Sequence, residues 1–170
     1  MIHNDEYYMS MALDQARIAL DRGDFPVGCV IVQDSRVIAF GERQGTRGDR
    51  QFFSEIDHAE IRALKNLENC SIRFEPEKAI LYVTMEPCLM CFAAIILSGI
   101  KKIIYAFEDP MGGGTKCDLT VLPPLYKHCD INVVSGVLRK DSHKLLYSFF
   151  NRENNKYWNN SYLENYILNF

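Results

Sequence analysis

Four residues carry the potential chemistry of this sequence: His58 and Glu60 in "DHAEIRAL" (57–64), and Cys88 and Cys91 in "TMEPCLMCFAAII" (84–96). Cysteines three apart on a helix put both sulfurs on one face, where they can grip one ion. A helix N-terminus favours negative charge, so thiols placed there ionise readily and become metal ligands. By itself the Cys-x-x-Cys pair also suits a redox dithiol or part of a structural zinc knuckle, and a lone His or a first-turn Glu has an ordinary structural use. Together the four read differently. One His and two Cys give three protein ligands and leave the fourth tetrahedral position open for water, as in catalytic zinc sites. Glu60, two residues from His58 and not itself a ligand, is a carboxylate that can take a proton from that water and later deliver it to a leaving group. A structural zinc site would need a fourth ligand, and a redox dithiol would need neither His58 nor Glu60.

The surrounding pattern supplies elements to position these residues. Met9, Ala12, Leu13, Ala16, Ala19 and Leu20 recur at helical spacing and Gly23 follows, which predicts a helix over 5–22. "VGCVIV" (27–32) and "RVIAF" (36–40) flank a short polar turn and predict a hairpin, while 41–57 reads as a long loop. A helix should begin at or near His58. "AILYVT" (79–84) predicts a strand, and Pro87 suits a first helical turn, so 87–98 should be a helix whose N-terminus contains Cys88. "KKIIYAF" (101–107) and "INVVSGV" (131–137) are further strands, "DPMGGGT" between them is a turn, and 140–153 is a helix. Alternating strands and helices predict an α/β fold, a three-layer α/β/α sandwich around a five-stranded mixed sheet.

Composition limits the function classes. The chain has 170 residues, 48% hydrophobic and 24% charged, which suits one compact domain over 1–150 with a helical extension, 151–170, packed on it. A formal net charge of −3 gives no overall attraction to phosphate backbones, so a nucleic-acid partner such as tRNA is not favoured by charge. No apolar run spans a bilayer and the N-terminal segment lacks the pattern of a signal peptide, so the expected location is the cytoplasm, with no membrane contact. Six cysteines in that reducing compartment are expected as thiols or metal ligands. Cys117, His128 and Cys129 match no second metal motif, and His3 and His143 are expected at the surface.

His58-Ala59-Glu60 and Pro87-Cys88-Leu89-Met90-Cys91 form the H-x-E…P-C-x-x-C signature of zinc deaminases. With "FPVGCVIV", "HAEIRAL" and "LYVTMEPCLMCFAAII", the chain resembles the cytidine deaminase-like superfamily over roughly residues 5–150, closest to its tRNA adenosine deaminase and nucleoside deaminase branch. The resemblance implies one Zn2+ per chain on His58, Cys88 and Cys91. It also implies hydrolytic removal of an exocyclic amine from a nucleobase, with zinc-bound hydroxide attacking and Glu60 shuttling the proton. An adenosine-type substrate is expected; the alternatives are a wobble adenosine in tRNA, free cytosine or guanine, or, from another class, a non-catalytic deaminase-fold subunit that binds RNA or a partner. Substrate contacts carried over from the family fall on Ala59, Glu86, Pro87 and the Cys88 backbone, with Phe25, Pro26 and Val27 as a wall. Relatives usually dimerise, so the resemblance implies a homodimer.

Two regions depart from the pattern. Trp158, Tyr162, Tyr166 and Phe170 fall at steps of four in a tail with two basic and two acidic residues, which predicts an aromatic stripe on a terminal helix docked on the body or a dimer partner, or a lid with Trp158 over the substrate. The tRNA deaminases commonly carry a ribose-contacting Asn just after the second strand; here the chain reads Gly41-Glu42-Arg43-Gln44, and Arg43, Arg47 and Arg50 could contact a phosphate, but with Glu42, Asp49, Glu55 and Asp57 nearby a solvated loop of mixed charge is expected.

Overall fold

The computed structural model describes residues 5–47, 53–153 and 155–170. Helix α1 (Asp5–Arg22) leads into the hairpin β1 (Gly28–Gln33) and β2 (Arg36–Glu42). Helix α2 (Ala59–Asn66), strand β3 (Ala79–Met85), helix α3 (Leu89–Ser98) and strand β4 (Lys102–Phe107) follow. The one-turn α4 (Pro124–Lys127), β5 (Asn132–Ser135), α5 (Arg139–Phe150) and α6 (Tyr162–Leu168) complete the order. The sheet runs β2-β1-β3-β4-β5; β1 is antiparallel to both neighbours, and β3, β4 and β5 are parallel. The α/β architecture and the five-stranded mixed sheet are those the sequence predicts.

Central strands covered on both faces read as continuous apolar runs, which is why β1 and β3 are buried along their whole length. Alternate residues divide between two cores. Val30, Val32, Ile80, Tyr82 and Ile104 meet Tyr8, Met9 and Ala12 of α1. Cys29, Ile31, Leu81, Val83 and Ile103 join a second cluster with Ala59 and Ala63 of α2, Phe92 and Ile95 of α3, and Leu163 and Ile167 of α6. The helix α3 is not enclosed, since Leu89 and Leu97 are exposed. Among the described residues no helix is long and apolar enough to cross a membrane.

One close approach sets where α2 begins. A Cβ on Gly41 of β2 would stand 2.3 Å from the Ala59 carbonyl oxygen and 2.6 Å from the Ala63 nitrogen, so glycine alone lets the first turn of α2 lie on the strand backbone. The segment after β2 is pinned by Asp24, which is fully buried. Its Oδ1 accepts from the amides of Thr46 and Arg47 at 2.9 and 3.1 Å, and its Oδ2 from Arg22 Nε at 2.7 Å. Phe25 N donates to Thr46 Oγ1 at 2.7 Å, which ties the segment leading into β1 to residues 43–47.

Several local expectations change. Cys88 is the N-cap of α3, with φ −68° and ψ 169°, and Pro87 lies before the helix. The cause is a β-bridge between Cys88 and Gly113, which holds Cys88 extended while its carbonyl accepts from Phe92 N. Strand β2 reaches Glu42, into the segment read as loop, because Gly28 pairs with Glu42. The tail forms no single aromatic stripe: α6 starts only at Tyr162, and Trp158 precedes it with a φ of 53°. His143 is half-buried, its Nε2 2.8 Å from the Ile167 carbonyl and its ring 4.5 Å from that of Phe170. His3, Asp49 and Arg50 lie outside the described residues.

Burial alone would raise the Asp24 pKa, but the Arg22 hydrogen bond and the amides of Thr46 and Arg47 outweigh it and hold the carboxyl below its ordinary 3.8. A depressed folded pKa means stabilisation present at neutral pH and lost as pH falls through that value. Asp24→Asn should therefore cost about 2–4 kcal/mol in urea unfolding at pH 7. The difference from wild type should shrink in acid below the ordinary carboxylate range; a penalty unchanged by pH would show that the charge is not what holds residues 43–47.

Candidate active site

Two helix starts meet at the carboxyl-side edge of the sheet. His58 is the N-cap of α2 in extended conformation, and Cys88 occupies the same place on α3. Cys91, fully buried, follows in the first turn of α3. The His58 Nδ1 atom lies 3.6 Å from Cys88 Sγ and 3.4 Å from Cys91 Sγ. All three donor atoms are within 4.8 Å of one another, and no second such group occurs among the described residues, Cys117, His128 and Cys129 included. A tetrahedral zinc with bonds of about 2.3 Å to sulfur and about 2.0–2.1 Å to nitrogen separates its N and S ligands by about 3.5 Å. The observed spacings bracket that value. Two sulfurs and an imidazole also suit zinc by softness and geometry, so the residues present fit the ion.

The three donors share one hydrogen-bonded network that shifts each of them, and of the two thiols Cys88 alone is shifted towards its ionised form. The Cys88 thiol is brought down to about 4, chiefly by the hydrogen bond from the Cys91 thiol, with burial opposing and His58 assisting. Cys91, as the donor and a buried group, is pushed up. Burial by itself would lower the His58 pKa, but the neighbouring Cys88 sulfur and the Glu60 carboxylate raise it overall. Glu60, 3% exposed, is raised by burial, with His58 opposing.

The cavity at this point is lined by Phe25, Val27, His58, Ala59, Glu60, Glu86, Cys88 and Trp158, all of them expected from sequence. Pro26 and Pro87 are buried but are not among its lining residues, and Pro87 instead accepts from the Gly114 amide at 2.8 Å through its carbonyl. Glu86 is committed on both oxygens: the Thr115 hydroxyl donates to Oε1 at 2.5 Å and the Asp109 amide to Oε2 at 3.2 Å. The glycine run beyond it is a packed turn. A Cβ on Gly114 would lie 2.6 Å from the Leu89 nitrogen, so this loop rests directly on the start of α3.

Sequence reasoning missed Glu55, Asp109 and Tyr157, which line the same cavity, and placed Arg43, which lines it too, in a solvated loop. Arg43 is not solvated: it is 2% exposed, with Nη2 donating to the Ser54 carbonyl at 3.0 Å and lying 3.2 Å from Glu55 Oε2. The Tyr157 hydroxyl donates to the same Glu55 oxygen at 3.0 Å. Its ring stands 5.5 Å from Phe25 and stacks on Trp158, also at 5.5 Å. The sequence signal available for Tyr157 was its neighbour Trp158.

This donor set on this fold is that of the zinc-dependent deaminases, hydrolases that act on C–N bonds. Residues 2–107 match the family described as the cytidine and deoxycytidylate deaminase zinc-binding region, and the chain belongs to that family. It is 35% identical over 144 residues to a tRNA-specific adenosine deaminase of Agrobacterium fabrum, covering 85% of this chain and 92% of the relative. It is 33% identical over 146 residues to the tRNA-specific adenosine deaminase of Bacillus subtilis, covering 86% and 88%. A solved structure from work on A-to-I editing by tRNA:A34 deaminases superposes with a TM-score of 0.68 at 35% identity, over 82% of this chain and 99% of that one.

If the ion sits between these helix starts, His58→Ala and Cys88→Ser should each bring zinc content down from one per chain towards background in elemental analysis. Gly41→Val should do the same without touching a ligand, by lifting α2 from the strand. Full zinc retention in Cys88→Ser would contradict the assignment.

Proposed function

We propose that this chain hydrolytically removes the exocyclic amine of an adenine-type base, with His58, Cys88 and Cys91 holding zinc and Glu60 moving the proton. The observation that carries the reading is the gathering of those three donors, at 3.4 and 3.6 Å, with His58 and Cys88 on the wall of a cavity that Glu60 also lines and Cys91 buried behind them. Adenine is chosen because the relatives at 33% and 35% identity are named for adenosine in tRNA.

When bound, the ion supplies a Lewis acid and a nucleophile active at neutral pH. The protein's own residues do the rest. Glu60 is buried, so its carboxyl is easily protonated, and it accepts a proton from the attacking water and returns it to the departing nitrogen. Phe25 and Val27 give the ring an apolar wall, and Trp158 with Tyr157 closes the cavity from the C-terminal side. Glu86 is fixed by Thr115 and Asp109 N, so its position is set before any base arrives.

Ammonia release by the zinc-loaded protein should be measured on adenine, adenosine, adenosine monophosphates and a tRNA anticodon stem-loop, with cytosine and guanine compounds beside them. Glu60→Gln should lower kcat on the productive substrate by on the order of 10²–10⁴-fold, with zinc content unchanged. Activity that survives in Glu60→Gln would remove Glu60 from the reaction. No release from any adenine compound would remove the adenine reading.

A further inference from the structure

Three consecutive residues at the end of β4 face three ways. The Phe107 carbonyl accepts from the Glu86 amide at 2.7 Å, the Glu108 side chain meets α5 and α6, and Asp109 lines the cavity with His58 and Glu60. Glu108 is not among the lining residues, yet its carboxylate is gripped from both helices. Arg139, the first residue of α5, takes it with two donors, Nε to Oε2 at 2.7 Å and Nη2 to Oε1. The Tyr166 hydroxyl of α6 donates to Oε1 at 2.6 Å. The Arg139 guanidinium also lies over two rings, 5.0 Å from the Phe107 centroid and 4.1 Å from that of Phe170. A bidentate Arg–carboxylate pair fixes orientation as well as distance, and stacking on the rings restrains the guanidinium further. Hydrogen bonding to Arg139 brings the Glu108 carboxyl down to about 2, against the effect of burial.

The backbone leading to this clamp is strained. Leu138, the N-cap of α5, has φ 53° and ψ 35°, a left-handed conformation that a bulky side chain keeps only where its surroundings demand it. It starts α5 beside β4, where Gly136 N donates to the Tyr105 carbonyl at 2.9 Å. What the clamp holds is a wall of the site. The Asp109 amide donates to Glu86 Oε2 at 3.2 Å, and its Oδ1 accepts from the amides of Met111 and Gly112, both at 2.9 Å. Its carbonyl accepts from Gly113 N at 3.1 Å, and Gly113 is the bridge partner of Cys88. These bonds join the turn to itself and to residues 86–88. The Glu108 carboxylate joins it to α5 and α6.

We infer that Glu108, held by Arg139 and Tyr166, is a positioning residue for substrate binding: it sets Asp109 and Glu86 on the cavity wall, so that Arg139 and Tyr166 act on the bound base without lining its cavity. The inference rests on the deaminase reading for what the cavity binds.

Hydrogen exchange read by mass spectrometry and steady-state kinetics on the productive substrate test it together. The proteins are zinc-loaded wild type, Arg139→Gln, Glu108→Gln, their double variant, and Tyr166→Phe, which removes one hydroxyl from a half-buried ring. The amides of 109–113 should exchange about 10-fold faster in each single variant, with those of 95–98 in α3 unchanged. In the two charge variants KM should rise about 5–20-fold, with kcat within about twofold and zinc content unchanged. The double variant should be no worse than Arg139→Gln alone, because both changes remove one contact. Unchanged exchange at 109–113 overturns the inference whatever the activity, and Tyr166→Phe keeps that readout if the charge variants fail to fold. A lower melting temperature with unchanged KM marks a merely structural pair and overturns it. Loss of zinc, a fall in kcat alone, or additive effects in the double variant overturn it as well. The deaminase reading fails separately, when wild type releases no ammonia or Glu60→Gln loses none, and the exchange measurement does not depend on it.

Discussion

The site depends on holding two helix starts against each other across the end of a sheet. Each start is an extended N-cap residue that carries a metal donor, His58 for α2 and Cys88 for α3. Helix N-termini favour negative charge, which suits thiolates and the Glu60 carboxylate alike. Neither helix could be placed by its own sequence. The strand backbone at Gly41 admits α2, and the β-bridge at Gly113 keeps Cys88 extended so that its sulfur meets the imidazole. The parallel pair β3 and β4 fixes the base from which α3 departs.

Around that junction the protein spends its polar groups on rigidity. Asp24 ties residues 43–47 to the end of α1, Thr46 ties them to Phe25, and Glu86 is locked by Thr115 and the Asp109 amide. The cavity walls are therefore set by hydrogen bonds made before a base enters, which is how catalytic groups avoid reorganising during reaction. The C-terminal segment contributes two stacked rings, Tyr157 and Trp158, to the same cavity, so residues far from the metal motifs in sequence share in shaping it.

Much of the fold was legible because the apolar runs at 27–32, 79–84 and 101–107 leave few alternatives to buried strands, and the helix over 5–22 shows its period plainly. The metal ligands were legible because donor types at short spacing are rare by chance, and the spacing works on one helix start. Arg43 was not legible. Its neighbours Glu42, Asp49 and Glu55 suggest a solvated loop, and its burial arises from the longer β2 and from Asp24, a residue nineteen positions earlier, holding Thr46 and Arg47. The step-of-four spacing of the tail aromatics misled for a similar reason. Trp158 and Asn160 adopt positive φ, which breaks the helix before Tyr162 and sends Trp158 to the cavity while Tyr166 and Phe170 pack on Phe107.

X-ray absorption at the zinc edge of the purified protein tests the central claim most directly, because it reads the donor set without reference to activity. The account predicts two sulfur neighbours at about 2.3 Å, with the remaining neighbours light atoms at about 2.0–2.1 Å that include one imidazole. A shell of three or four sulfurs, or one without imidazole, would contradict a site built from His58, Cys88 and Cys91.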